Sequence, residues 1–158
     1  MADLIAQDDS DGRRRSPVVR APPAPPAASV RARDWRFTST AGSVRSVRRQ
    51  LRPFLVESGL PDTEIDDLVL AACEAVTNGI EHARYPTEPF FDVQAEIEGR
   101  RVQIVVRDYG RWTTQRVDPG HRGRGLHMMT MLAAVSVTSG PLGTTVTLRN
   151  LVDGRSGG

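Results

Sequence analysis

Residues 91–98 read "FDVQAEIE", an unbroken alternation of apolar and polar side chains. Phe91, Val93, Ala95 and Ile97 share one side, and Asp92, Gln94, Glu96 and Glu98 the other. Successive side chains of an extended chain point to opposite faces, so this pattern specifies a strand with one buried face. Gly99-Arg100 can then reverse the chain into "RVQIVVRDYG", where Val102, Ile104 and Val106 again share a side. The two segments predict an antiparallel hairpin. A lone hairpin with an apolar face is marginal in water, so another layer must cover it.

Two segments can supply that layer. "AGSVRSVRRQLRPFLVESG" predicts a helix starting at Ser43, with Val44, Val47, Leu51 and Leu55 on one face and a kink or weak last turn at Pro53. "LPDTEIDDLVLAACEAVTNGIEHARYP" is the strongest helical pattern, with Ile65, Val69, Ala72, Val76, Ile80 and Ala83 as its apolar stripe. Asp62 is its candidate cap, early acidic residues favour its positive end, and Pro86 stops it. "DWRFTST" adds a short strand, a candidate edge, before both helices. "LHMMTMLAA" adds a short helix, and "VSVTSG" with "TTVTLRNL" a second hairpin around Pro141–Gly143. The expected fold is an α+β two-layer sandwich, a mixed, mostly antiparallel sheet with helices on one face.

The expected organisation is a tail over 1–33, a domain over 34–152 and a flexible tail over 153–158. The first 33 residues hold five prolines and few large apolar groups, too little to offset ordering entropy, and predict disorder. The basic residues are all arginine, which excludes a Walker lysine, a Schiff base and the lysine of an ordinary protein-kinase strand. Net charge is +2, and six of the arginines lie in the first 33 residues, so the charge gives little reason to expect direct nucleic-acid binding. No eighteen-residue apolar run predicts a membrane span, no apolar h-region predicts a signal peptide, and Cys73 has no cysteine to pair with. These features predict a cytoplasmic chain.

Three local features carry chemistry. Asp108 falls on the same side as Val102, Ile104 and Val106, which aims a carboxylate inward at a strand end. Buried without a donor it would cost several kcal/mol or take up a proton, roughly, so it needs a partner; alternatively it is a turn Asp before Gly110. Thr144 shares a side with Val146 and Leu148 and places a hydroxyl inward at the start of the last strand. In "HRGRGLHMM", Gly123 and Gly125 stand immediately before the predicted helix. Free backbone N–H groups there could meet an anion, with Arg122 and Arg124 adding charge, or the segment is simply a flexible loop. Finally, in "EAVTNGIEH", Glu74, Asn78 and His82 stand four apart on one stripe of the long helix. A helical wheel puts that stripe opposite Val76 and Ile80, where solvent is the default. Ala71, Ala75 and Gly79 beside it leave room for a ligand.

Taken together, these segments resemble the ATP-binding domain of the GHKL group, the Bergerat fold of anti-sigma-factor serine kinases, sensor histidine kinases, gyrase and mismatch-repair ATPases. "EAVTNGIEH" is similar to its asparagine box, "RDYG" to its first glycine box, "GRGLHMM" to its second and "GTTVTL" to its closing strand. The four stand in the family's order across about residues 35–151. The short chain most resembles the anti-sigma kinase branch, and the absence of an upstream helical hairpin bearing a His points away from sensor histidine kinases.

The resemblance implies roles. Asp108 would accept a hydrogen bond from the adenine amino group of ATP, with Thr144 nearby through water, and Gly110 would let the backbone approach the base. Asn78 would hold Mg²⁺, which prefers oxygen ligands. Gly123, Gly125 and Leu126 would cradle the phosphates, and Glu74 would be the general base toward a serine hydroxyl or water. His82 fits the pattern without a catalytic role. The implied protein is a serine kinase and anti-sigma factor, with a sigma factor and an anti-sigma-factor antagonist as partners, and a homodimer. The alternative is an ATP-holding regulatory module that transfers nothing. Exposed Arg45, Arg48 and Arg49 on the first helix are a candidate partner surface or a solvated face. Three departures stand out: Trp112 replaces the second glycine of the first glycine box, Gly79 replaces the commoner alanine, and the lid over Arg111–Arg122 is short.

Overall fold

In the computed structural model of the chain, the described residues are 29–83, 86–110 and 122–151. Eight elements follow in order: β1 (Val30–Thr38), α1 (Ser43–Val56), α2 (Asp62–His82), β2 (Phe90–Glu98), β3 (Arg101–Asp108), α3 (Arg122–Leu132), β4 (Ala134–Gly140) and β5 (Gly143–Arg149). The strands form one sheet in the order β1-β2-β3-β5-β4. Each pairing is antiparallel, so the expected α+β sandwich holds and its sheet is wholly antiparallel rather than mixed.

The alternation that predicted the central hairpin is what the core uses. Phe91, Val93, Ala95 and Ile97 on β2, and Val102, Ile104 and Val106 on β3, are all buried. Glu98 pairs with Arg101, which leaves Gly99-Arg100 as the two-residue reversal, and Gly99 takes the left-handed φ of 59° that such a turn demands. Above this face lie Val47, Leu51, Phe54 and Leu55 of α1 and Ile65, Leu68, Val69, Ala72 and Val76 of α2. Full burial of side chains such as Leu51, Leu55 and Ile65 is worth about 1.5–3 kcal/mol each.

Two boundaries, the start of β1 and the cap of α2, differ from the sequence reading. β1 begins at Val30, so residues 30–33, placed in the tail from composition, pair with Glu98 through Ala95. Pro53 sits inside α1, which continues to Val56. Asp62 is not the cap of α2; the cap is Pro61, whose carbonyl accepts the Ile65 N–H at 3.1 Å. α1 begins at Ser43 as expected, and the Ser43 hydroxyl donates to the Thr38 carbonyl, which ties the helix start to the end of β1.

The long helix is buried more broadly than its stripe implied. Ala71, Cys73, Ala75 and Gly79 are buried as well, because α2 packs against the sheet, α1 and α3 at once. Three-sided contact selects small residues on its flanks. Burial also pushes the Cys73 thiol up from its ordinary pKa.

Candidate functional site

Asp108 ends β3 on the core side and is only 7% exposed. Its register partner is Thr144, 1% exposed, at the start of β5. The inward parity expected for both residues is therefore observed. The Asp108 carboxylate accepts the Gly110 backbone N–H at 3.1 Å. The neighbouring register pair, Ser139 and Thr144, joins hydroxyl to hydroxyl at 3.2 Å. Asp108, Thr144 and Ser139 thus make a polar row across three strands, on the face that the helices cover. Ser139 was missed from sequence, although a two-residue Pro141–Leu142 turn, with Gly140 opposite Gly143, implies its position.

The backbone comes unusually close around this row. A Cβ at Gly79 would lie 3.3 Å from both the Asp108 Cβ and its Oδ2, so α2 runs directly against the carboxylate. A Cβ at Gly110 would lie 2.3 Å from the Ala83 Cβ, which only glycine permits. Gly143 has a φ of 141°, and a Cβ there would meet the Asp108 carbonyl oxygen at 2.1 Å.

One helical turn back along α2, Glu74 and Asn78 are half-buried and face the start of α3. A Cβ at Gly125 would lie 3.4 Å from Glu74 Oε2 and 3.5 Å from the Asn78 amide atoms. Gly123 and Gly125 lie inside the first turn of α3, not before it as expected. The first four N–H groups of a helix lack internal acceptors, so both glycines still belong to the anion-attracting end. Leu126 is 46% exposed. His82 is half-buried at the end of α2, with Nε2 3.8 Å from Glu81 Oε2. The stripe of Glu74 and Asn78 therefore faces another helix across a narrow gap instead of open water. The expected charge from Arg122 and Arg124, and the lid with Trp112 over 111–121, fall outside the described side chains and residues.

On the opposite face of the sheet lies a second polar cluster. Arg36, Asp92 and Arg107 form one cross-strand row. Arg36 binds Asp92 through two bonds, Nε at 2.7 Å and Nη2 at 3.0 Å, and stacks 3.8 Å above the Phe90 ring. The Tyr109 hydroxyl donates to the same carboxylate. Its ring meets Phe90 edge-on at 5.3 Å, with Arg107 at 5.0 Å over it. The Arg36 guanidinium holds Asp92 below the usual carboxylate range, and the Asp92 carboxylate pushes the Tyr109 phenol up. A cleft of about 610 Å³ runs along this face between Trp35, Gln94, Val105 and Thr145.

Sequence comparison decides the family. The chain matches the histidine kinase-like ATPase domain over residues 37–150. It belongs to that family. The crystal structure of the RsbU and RsbW domains of a Mycobacterium tuberculosis protein is 31% identical, with a TM-score of 0.60 over 75% of this chain. This chain spans 32% of that protein's chain. The histidine kinase domain of a blue-light activated histidine kinase from Erythrobacter litoralis is 25% identical over 58% of this chain and 46% of its own, with a TM-score of 0.45. As a histidine kinase-like ATPase domain, the protein is an ATP-binding, kinase-like module. No described helix is long and apolar enough to cross a membrane.

The donor set of the histidine kinase-like ATPase domain fits Mg²⁺ carried in by a nucleotide. Among the described residues, no three His, Cys, Asp or Glu side chains form a metal cage. Asn78 and Glu74 instead offer oxygens side by side at the α2–α3 gap. Mg²⁺ commonly takes one or two protein oxygens and completes its octahedron with phosphates and water.

Proposed function

We propose that this protein is an ATP-dependent serine protein kinase that also acts as an anti-sigma factor, phosphorylating a serine of an anti-sigma-factor antagonist. The observation that carries the reading is the convergence at Gly125: a carboxylate, an amide and the start of a helix meet within one side chain's width. Phosphoryl transfer requires those elements together, since catalysis there is mostly positioning and charge stabilisation. The similarity to the RsbU and RsbW domain structure supports a protein partner that switches with phosphorylation.

In this reading Asp108 accepts from the exocyclic amine of adenine, and Thr144 orders a water beside it. Gly110 brings the backbone against the base. Asn78 holds Mg²⁺, which when bound neutralises the charge of the phosphates. Gly123, Gly125 and Leu126 line the phosphate side. Glu74 takes the proton of the serine hydroxyl as its oxygen bonds to the γ-phosphorus and the bond to the β–γ bridging oxygen breaks, releasing ADP. We place the protein in the cytoplasm as a homodimer, with the Arg45, Arg48 and Arg49 face of α1 exposed toward a partner.

The test is incubation with labelled ATP and a cognate antagonist. Label on a serine supports kinase activity; bound ATP without label leaves a binding-only regulator. Glu74→Ala is expected to retain ATP affinity and lose transfer by about 10²–10⁴-fold, whereas Asp108→Asn loses ATP binding itself. Equal losses of affinity in both variants would refute the division of roles.

A further inference from the structure

The residue between Asp108 and Gly110 has no place in the reading above, yet it is held from several directions. The Tyr109 carbonyl accepts both the backbone N–H of Thr87 at 3.0 Å and its hydroxyl at 3.2 Å. Its side chain crosses to the outer face of the sheet, opposite to Asp108. There the phenol donates to Asp92, which Arg36 grips by two bonds from the edge strand. The ring is packed between Phe90 and Arg107. A chain of contacts thus runs from β1 through β2 to the tip of β3, one peptide from the buried carboxylate.

We propose that Tyr109 is a positioning residue for nucleotide recognition, fixing the Asp108 carboxylate by anchoring the Asp108–Gly110 turn to Asp92 and Arg36 on the outer face. The inference rests on the reading of Asp108 as the base contact. The physical need is specific. β3 ends at Asp108, so beyond it no ladder bond to β5 holds the turn. On the inner side, the close approaches of Gly79 to Asp108 and of Gly110 to Ala83 limit motion toward the helix. The outer anchor opposes motion away from the helix. A recognition carboxylate must be held within about half an ångström to keep its hydrogen bond.

The experiment measures the dissociation constant of a non-hydrolysable ATP analogue with Mg²⁺, together with the thermal midpoint, for the full chain. Tyr109→Phe keeps the ring contacts and deletes the hydroxyl alone. It is expected to weaken analogue binding on the order of fivefold while the protein stays folded at the assay temperature. Asp92→Asn keeps an acceptor for the phenol and is expected to retain more affinity than Asp92→Ala. The double variant Tyr109→Phe/Asp92→Ala is expected to bind no more weakly than Asp92→Ala alone, because the two residues act through one contact. Wild-type binding with Tyr109→Phe within twofold of it overturns the positioning role, even if the midpoint falls. Failure of the wild type to bind the analogue overturns the base-contact reading and this inference with it. Should Asp92→Ala not fold, Tyr109→Phe decides alone.

Discussion

Gly79→Ala sets two known effects against each other. In a helix interior, alanine is favoured over glycine by about 1 kcal/mol. If that were all, the variant would be more stable and otherwise unchanged. The new Cβ, however, would lie 3.3 Å from both the Cβ and Oδ2 of Asp108. Comfortable carbon contacts begin near 3.5–4.0 Å, so the pair must separate by roughly 0.2–0.7 Å. Neither side yields freely. Gly79 is built into a 21-residue helix packed on three sides, and Asp108 is held by its pairing with Thr144 and by the Gly110 N–H. The strain should largely cancel the propensity gain, leaving stability within about 1 kcal/mol of wild type. The displaced carboxylate should cost about tenfold in nucleotide affinity, close to 1.4 kcal/mol. Chemical denaturation and ATP titration read the two quantities separately. A variant that gains the full helix-propensity stabilisation and binds ATP as before would show that the gap has slack, and the clearance reasoning would be wrong.

Two further outcomes follow from the same geometry. Gly110→Ala would force a Cβ to 2.3 Å from the Ala83 Cβ and 2.7 Å from its Cα, a backbone atom that cannot swing away. A loss of about 3 kcal/mol in denaturant unfolding is expected, and a loss below about 1 kcal/mol would mean the turn relaxes. Asp92 is held below the ordinary carboxylate range chiefly by Arg36, with Tyr109 and Arg107 also facing it, so its ionised form stabilises the fold. That contribution is present above the unfolded pKa, near 4, and is lost as pH falls through the lower folded value. The stability gap between wild type and Asp92→Asn should therefore be open at neutral pH and close toward about pH 2, as denaturant midpoints at both pH values would reveal.

Parity made the centre of the molecule legible. Once Val102, Ile104 and Val106 were assigned to the core, parity carried Asp108 inward with them, and the same logic carried Thr144 behind Val146 and Leu148. Both are buried, and they face each other. Period-two patterns survive because one slipped residue would turn every apolar side chain to water. Other features depend on distances that no local pattern encodes. The departure at Gly79 reads as a substitution in sequence and becomes a point of contact only when α2 is laid against β3. The Arg36–Asp92–Tyr109 chain joins residues from β1, β2 and the end of β3, and needs the register of two pairings at once. The start of α3 was misplaced because two glycines in five residues argue against helix, yet the segment packs onto α2 all the same. Local preference there yields to tertiary contact. Composition likewise put residues 30–33 in the tail; they are largely exposed in β1, an edge strand, and so lack an apolar pattern.

The long helix α2 supplies Ile65, Leu68 and Val69 to the interior near one end, and near the other sets Glu74 and Asn78 against α3 and Gly79 against Asp108. It serves as a single keel for both. A molecule gripping that second end therefore steadies the entire hull, since occupancy of the native form adds to resistance against melting by mass action. Damage deep in the hold, far from any chemistry, would loosen that grip only as far as it empties the native form.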